Sequence, residues 1–563
     1  MRKIFITLLA LVLVFSLATT VKAVTPGSSV KAIDFNFVDI HNDNCAFDMN
    51  FSKARANTGW NMTSGEVSLI KSGSADAGTD AATGMNTNVA MGTLTDTHIG
   101  PIAVNLFTGP FANAYALDFN FVKIHNHNFG MVWNDSFAWA NTGWNTITGK
   151  KAKITTGNAT ADTKTATTMN TNLADVSIVD TNFVGPVAAN LFSPMPMMAI
   201  AKDENKIKIV NFNFGFVGND SDALANTGHN VVKGKKADIK TGKADASTET
   251  TTVMNTNVTE AAIVDAGLIG PVAGNVNFML VGAGEIMPFN FVLAKDENKI
   301  KVVNFNHALV LNDSFAKANT GYNTAGKKST IKTGAAVAST ATSTTVNTNY
   351  TSAAIVDTSS GPFAGNVGLG HLPFCGDDLE SDCENSIGGI GPVAINIGGG
   401  IAIAEDENEI EVKNHNNAFV YNDSDAKANS GYNTTGAGST ITTGSATAST
   451  MTDNTVNTNV TDVTITDAAG IGPVAANIGG GPVSVAKATE TAEVEVNNDN
   501  HAVVINDSNA SANTGNNSVP VQPASTNCGG STDGGTVTTG DASATTTTTN
   551  TVNTNVTTFS INQ

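Results

Sequence analysis

The chain has 563 residues and a net charge of −19, with 14% charged, 41% hydrophobic and only 6% aromatic residues. Gly and Pro stand near their usual frequencies, which excludes collagen-like and Pro/Gly-rich disordered chains. The acidity argues against nucleic acid or an anionic membrane surface as the main partner.

In chain order the first element is an export signal. Arg2 and Lys3 precede the apolar run Ile4 to Leu17, and Val21, Lys22 and Ala23 offer small side chains where a peptidase would cut. This plan predicts removal of residues 1–23 and a secreted, extracellular or cell-surface protein. Loss of Arg2, Lys3 and Lys22 moves the net charge from −19 to −22. No later apolar stretch reaches the roughly 20 residues of a membrane span, so no transmembrane segment is expected after processing.

The rest is a repeat. The string Ala-Asn-Thr-Gly, once Ala-Asn-Ser-Gly, ends at Gly59, Gly143, Gly228, Gly321, Gly431 and Gly515, with gaps of 84, 85, 93, 110 and 84. Six units follow: 24–105, 106–190, 191–275, 276–366, 392–477 and 478–563, with an acidic insertion at 367–391. Each unit opens its frame with an Asn-x-Asn pair: Asn42 and Asn44, Asn126 and Asn128, Asn211 and Asn213, Asn304 and Asn306, Asn414 and Asn416, Asn498 and Asn500. A second pair, Asn-Thr-Asn, comes later in each unit: Asn86 and Asn88, Asn170 and Asn172, Asn255 and Asn257, Asn347 and Asn349, Asn457 and Asn459, Asn553 and Asn555. The two pairs lie 43 or 44 residues apart in the first five units, so each unit reads as two half-units of about 42.

The local pattern is two-fold. Lys299 to Asn306 and Glu409 to Asn416 alternate polar and apolar residues as half-buried strands do. Marker spacing of 13 to 17 residues predicts about six β-segments per unit. The strings KDEN at 202–205 and 295–298 and EDEN at 405–408 read as tight hairpin turns, as do the Gly-Lys-Lys runs at 149–151, 234–236 and 326–328. Alternating Ala138 and Ala140, Ala316 and Ala318, and Ala336 and Ala338 suit two sheets in close approach. Asn at fixed positions suits stacking, since an amide can donate to and accept from its own copy one strand away. The predicted fold is all-β: a repetitive β-solenoid or stacked-sheet rod of six units, with a period near 42 setting pair over pair. A string of tandem β-sandwich domains is the alternative.

Ser314-Phe-Ala-Lys-Ala-Asn-Thr-Gly-Tyr-Asn323 resembles the curlin repeat, which places Ser, Gln, Gly and Asn at short fixed spacings. Asn319 stands in place of Gln, Gly321 lies one residue closer to Asn323, and the unit is far longer. The resemblance implies secreted, amyloid-like subunits whose strand-turn-strand repeats stack into adhesive fibres.

Candidate chemistry is sparse. The string Gly321 to Lys328 falls one residue short of a phosphate-cradling loop, because Lys328 stands where Ser or Thr is required. His41, His125, His127, His307, His415 and His501 shift position from unit to unit, whereas a metal site needs fixed geometry. Asn-Asp-Ser at 134–136, 219–221, 312–314, 422–424 and 506–508 reads as an Asx turn before it reads as a calcium loop. Asp377, Asp378, Glu380 and Asp382 in the insertion are the better calcium ligands, and no cofactor other than calcium is expected. Cys375 and Cys383 are spaced to close that loop as a disulfide in an oxidising compartment, while Cys45 and Cys528 sit alone in the first and last units.

No nucleophile or metalloprotease signature occurs, and no carboxylate pair singles itself out for polysaccharide cleavage, so no enzymatic activity is expected. The expected role is a structural fibre, adhesin or matrix component that self-associates. The rival is a binding face for an ordered surface such as ice or a glycan, built on regular hydroxyl arrays such as Thr545 to Thr549.

Overall fold

The computed structural model describes residues 29–563 except 98, 107–111, 192–196, 278–289, 369–388, 398–399, 468, 479–483 and 521–533. Among these residues there is no helix. Each coil begins with a long strand: Ser29–Asn57, Asn113–Asn141, Met198–Asn226, Phe291–Asn319, Gly400–Asn429 and Ser484–Asn513. The chain turns at the Ala-Asn-Thr-Gly corner and runs back along a return strand: Ala75–Asp96, Ala159–Asp180, Ala244–Asp265, Ala336–Asp357, Ala446–Asp467 and Ala542–Asn562. Closing strands such as Ile102–Leu106 and Val187–Leu191 lead into the next coil.

All long strands pair in parallel and in register, so Asn42, Asn126, Asn211, Asn304, Asn414 and Asn498 share one column. The return strands do the same. The six units thus share continuous sheets, which makes the molecule an all-β solenoid of six coils and excludes separate sandwiches. Unequal unit lengths are absorbed outside the long and return strands, so the register survives gaps of 93 and 110. Val393–Ile397, just after the insertion, adds an extra rung to the closing sheet.

Four expectations are corrected. The repeat along the axis is the whole unit; the two half-units face each other across one coil, where Asn44 Nδ2 donates to Asn88 Oδ1 at 2.6 Å. In place of six similar segments, a coil has two long strands and a few short ones. The KDEN and EDEN strings are no hairpins and the Asn-Asp-Ser strings no Asx turns, since all lie inside long strands. Their polar side chains find partners in the neighbouring coils, as when Lys206 bridges to Glu297 at 2.7 Å, and so need no turn. The solenoid of one chain is wider across its strands than it is tall along the stacking axis. At about 3.3 Å per residue a 29-residue strand spans roughly 95 Å, whereas six strands about 4.8 Å apart span only about 24 Å.

The core is thin and layered. Ala138 and Ala140 meet Ala159 and Ala161 near the corner, and the same quartet repeats in neighbouring coils. Farther along, Ile124, Ile207 and Ile300 pack on Ile178, Ile263 and Ile355. Small side chains at one end allow the two sheets to converge, as the alternating alanines imply.

Glycine at the corner answers to close stacking. A Cβ on Gly228 would lie 2.0 Å from the carbonyl oxygen of Gly321 in the next coil, and Gly59, Gly143, Gly321 and Gly431 meet the same obstacle. Gly515, in the last coil, meets only Asn513 Oδ1 at 3.7 Å. Gly228→Ala should therefore cost about 1–3 kcal/mol, as overpacking does, while Gly515→Ala should leave the unfolding midpoint nearly unchanged. Thermal and urea unfolding of the two variants checks this.

Candidate functional site

The interior is organised as polar columns. The twenty-four amides singled out in the sequence fall into four of them, each stepping from coil to coil. In two, Asn42 donates to Asn126 at 2.8 Å and Asn44 to Asn128 at 3.0 Å. In the other two, Asn86 donates to Asn170 and Asn88 to Asn172, both at 2.9 Å. Asn213 shows how completely these groups are satisfied. Its Nδ2 donates to Asn306 Oδ1 at 2.8 Å and Asn257 Oδ1 at 3.0 Å, and its Oδ1 accepts from Asn128 at 2.8 Å and Asn172 at 3.0 Å. Two donors and two lone pairs are all used. A fully buried side-chain amide is thus accommodated between the sheets without water.

The Asn-Thr-Asn pair also stitches the sheets together. Its first residue has φ near +55° in every coil, and it is skipped in the pairing of the return strands. Asn tolerates this left-handed backbone better than most residues. The turned side chain reaches the opposite sheet: Asn170 Nδ2 donates to the Phe214 carbonyl at 3.0 Å and Asn255 Nδ2 to that of His307 at 2.9 Å.

A carboxylate column runs beside the amides and was missed in the sequence. Its long-strand members are Asp34, Asp118, Asp203, Asp296 and Asp406, followed by Glu490. Facing them are Asp96, Asp180, Asp265, Asp357 and Asp467, each at the end of a return strand. The signal was present, because the Asp of KDEN and EDEN recurs in phase, but the hairpin reading hid it. Burial, followed by the charge of neighbouring column members, pushes Asp118 up to about 8. Asp203, Asp265, Asp296 and Asp406 are raised well above the ordinary carboxylate range for the same reasons. Burial also lifts Asp180 to about 6, against hydrogen bonds from the Asn182 backbone and Asn205. In Asp357, likewise raised to about 6, burial is helped by the charge of Asp467 and opposed by bonds from Ser359 and Asn408.

Outside, the residue after each corner glycine also has positive φ, and in the first five coils it carries a ring that stacks on its neighbour along the axis. Trp60 and Trp144 lie 5.2 Å apart, Trp144 and His229 4.2 Å, His229 and Tyr322 4.8 Å, and Tyr322 and Tyr432 4.8 Å, all within 8° of parallel. Burial, then nearby Lys317, lowers His229 to about 4, so it stacks as a neutral ring. Among the described residues, His127, His307 and His415 share outer-face columns with phenylalanine, as in the Phe305–His415 stack at 5.0 Å.

Asp377, Asp378, Glu380, Asp382, Cys375, Cys383 and Cys528 lie outside the described residues, as do residues 1–23, where an export signal is expected. Cys45 is exposed and free. Among the described residues no helix is long and apolar enough to cross a membrane. No family model, curated protein or solved structure matches the chain.

Two outcomes follow from these columns. Asn213→Ala orphans amides in four neighbours and should cost about 1–3 kcal/mol for each group left unpaired, whereas Asn500→Ala in the last coil should cost much less; urea unfolding separates them. The raised aspartates hold protons in the folded chain that the unfolded chain has released. Their stabilising effect is therefore complete below about pH 4 and is lost as pH rises through roughly 6 to 8. With a chelator present, the melting temperature should be higher at pH 4.5 than at pH 8, and Asp203→Asn should flatten the profile.

Proposed function

We propose that this chain is an exported, non-enzymatic structural protein that builds a fibre or matrix by adding copies end to end. The observation that carries the reading is the polarity of the amide columns. Asn42 Nδ2 donates to Asn126 Oδ1 at 2.8 Å, and the direction persists to Asn414 Nδ2 and Asn498 Oδ1 at 2.7 Å. The first coil therefore ends in an acceptor and the last in a donor. The corner column runs the opposite way, from Asn513 Nδ2 to Asn429 Oδ1 and down to Asn141 Nδ2 and Asn57 Oδ1, both at 2.7 Å. Donor meets acceptor in both kinds of column only when the last face of one copy meets the first face of the next.

Backbone geometry supports the same contact. Among the described residues, no strand pairs with the outer edges of Ser29–Asn57 and Ala75–Asp96, or with those of Ser484–Asn513 and Ala542–Asn562. Long unpaired edges of this kind recruit further strands. Such a contact is heterologous and open, so it yields a filament and not a closed ring. The role matches the one implied by the curlin resemblance, and the export signal would place assembly outside the cell.

Negative-stain microscopy and sedimentation of the mature chain test the proposal. Filaments growing along the stacking axis are expected, with a fibre reflection near 4.8 Å. Asn498→Asp combined with Asn555→Asp keeps the acceptor oxygens that Asn414, Asn459 and Asn500 use, places two charges on the last face, and should shorten or abolish the filaments while circular dichroism stays unchanged. A mature chain that remains monomeric at high concentration overturns it.

A further inference from the structure

The aspartate column presents an unresolved charge problem inside the molecule. Asp118 and Asp296 are each 1% exposed and Asp203 is 4% exposed. No N–H or O–H donor reaches Asp118 Oδ1, Asp203 Oδ1 or Asp296 Oδ1. An ionised carboxylate in such surroundings carries a desolvation cost of several kcal/mol unless a counter-charge accompanies it, and the charges acting on it here are other carboxylates.

The column nevertheless has the dimensions of a cation site. Oxygens of Asp34, Asp96 and Asp118 all lie within 4.8 Å of one another, and so do oxygens of Asp265, Asp296 and Asp357. Calcium binds oxygen at about 2.3–2.6 Å, so ligands on opposite sides of one ion stand about 4.6–5.2 Å apart. A buried neutral amide stands beside the first group and carries an unpartnered oxygen of its own. Asn182 is 2% exposed, its Nδ2 lies 3.5 Å from Asp118 Oδ2, and its Oδ1 has no hydrogen-bond partner.

We infer that the aspartate column is a file of Ca²⁺ sites, with ions held between long-strand aspartates and the return-strand aspartates that face them. The donors are hard oxygens only, which favours Ca²⁺ or Mg²⁺ over softer metals. Three protein carboxylates stand in each group, more than the one or two Mg²⁺ usually takes, which favours Ca²⁺ over Mg²⁺. Each ion would join adjacent coils and both sheets, so the metal would act as an internal strut. The inference is independent of filament assembly, because it concerns the interior of one chain.

The experiment uses the full mature chain, stripped with EDTA and dialysed at pH 7.5. Ca²⁺ uptake is read by elemental analysis and calorimetry, and stability by thermal unfolding. Tight uptake of Ca²⁺ and a rise in melting temperature are expected, with Mg²⁺ at equal ionic strength giving a smaller rise. Asp118→Asn combined with Asp296→Asn should lower the number of tightly bound ions and reduce the response to Ca²⁺. Asp76→Asn combined with Asp462→Asn removes the same charge from exposed positions with no carboxylate in the adjoining coils at the same position, and should change neither. Equal effects of Ca²⁺ and Mg²⁺ in the native chain would reduce the response to charge screening and overturn the inference, whether or not the interior variant folds. No tight uptake would overturn it as well and would leave the column protonated.

Discussion

The constraint on which the rest depends is that every side chain in a long or return strand faces a copy of its own position one coil away. In-register parallel stacking fixes that neighbour at about 4.8 Å. The question at each position is then how a residue type interacts with itself. Asn answers well, because one amide carries both donor and acceptor and can bond its copy in both directions. Aromatic rings answer by stacking, as Trp144, His229 and Tyr322 do. Glycine answers where backbones come too close for a Cβ, as at the corner.

Self-pairing also explains how so little apolar volume is enough. The contacts between sheets are alanine layers near both ends of the long strands and layers rich in Ile, Val and Met between them. Between these layers stand amides that lose water on folding and bond to their copies in the neighbouring coils, and Asn213 uses every donor and lone pair. Such a core transmits stability along the axis: each inner coil is satisfied by the two beside it, and end coils are satisfied on one side only.

This logic decides what could be read from the sequence. The repeat, the absence of helix, the alanine pairs and the Asn columns were legible because they recur in phase and their chemistry is local. The rung length was not. Pairs 44 residues apart suggest two stacked turns or two facing half-turns equally well, and only the path of the chain distinguishes them. Lys202, Asp203, Glu204 and Asn205 misled for a related reason. A run of four polar residues is a turn signal in an ordinary sheet, where such side chains need solvent. Here Asp203 and Asn205 point inward and Lys202 and Glu204 lie on the outer face, where Lys202 pairs with Glu297 of the next coil. Composition cannot show a partner that lies 95 residues away.

The carboxylates are where self-pairing fails, and the failure is informative. Asn205 and Asp203 lie two residues apart on the same inward face of one strand, one in a column of amides and the other in a column of acids. At the first position, identical neighbours attract. At the second, they repel, and burial sharpens the repulsion. An amide at the second position would be nearly the same size and would need no counter-charge, yet the acid recurs in five consecutive coils, and Glu490 occupies the sixth. A fold held together by like meeting like therefore contains one column that is stable only with something else in it. A proton can serve in acid, and near neutrality the spacing of the oxygens suits a divalent ion. On that account the amide columns set the register of the coils, and the acid column makes their stability respond to the solution outside.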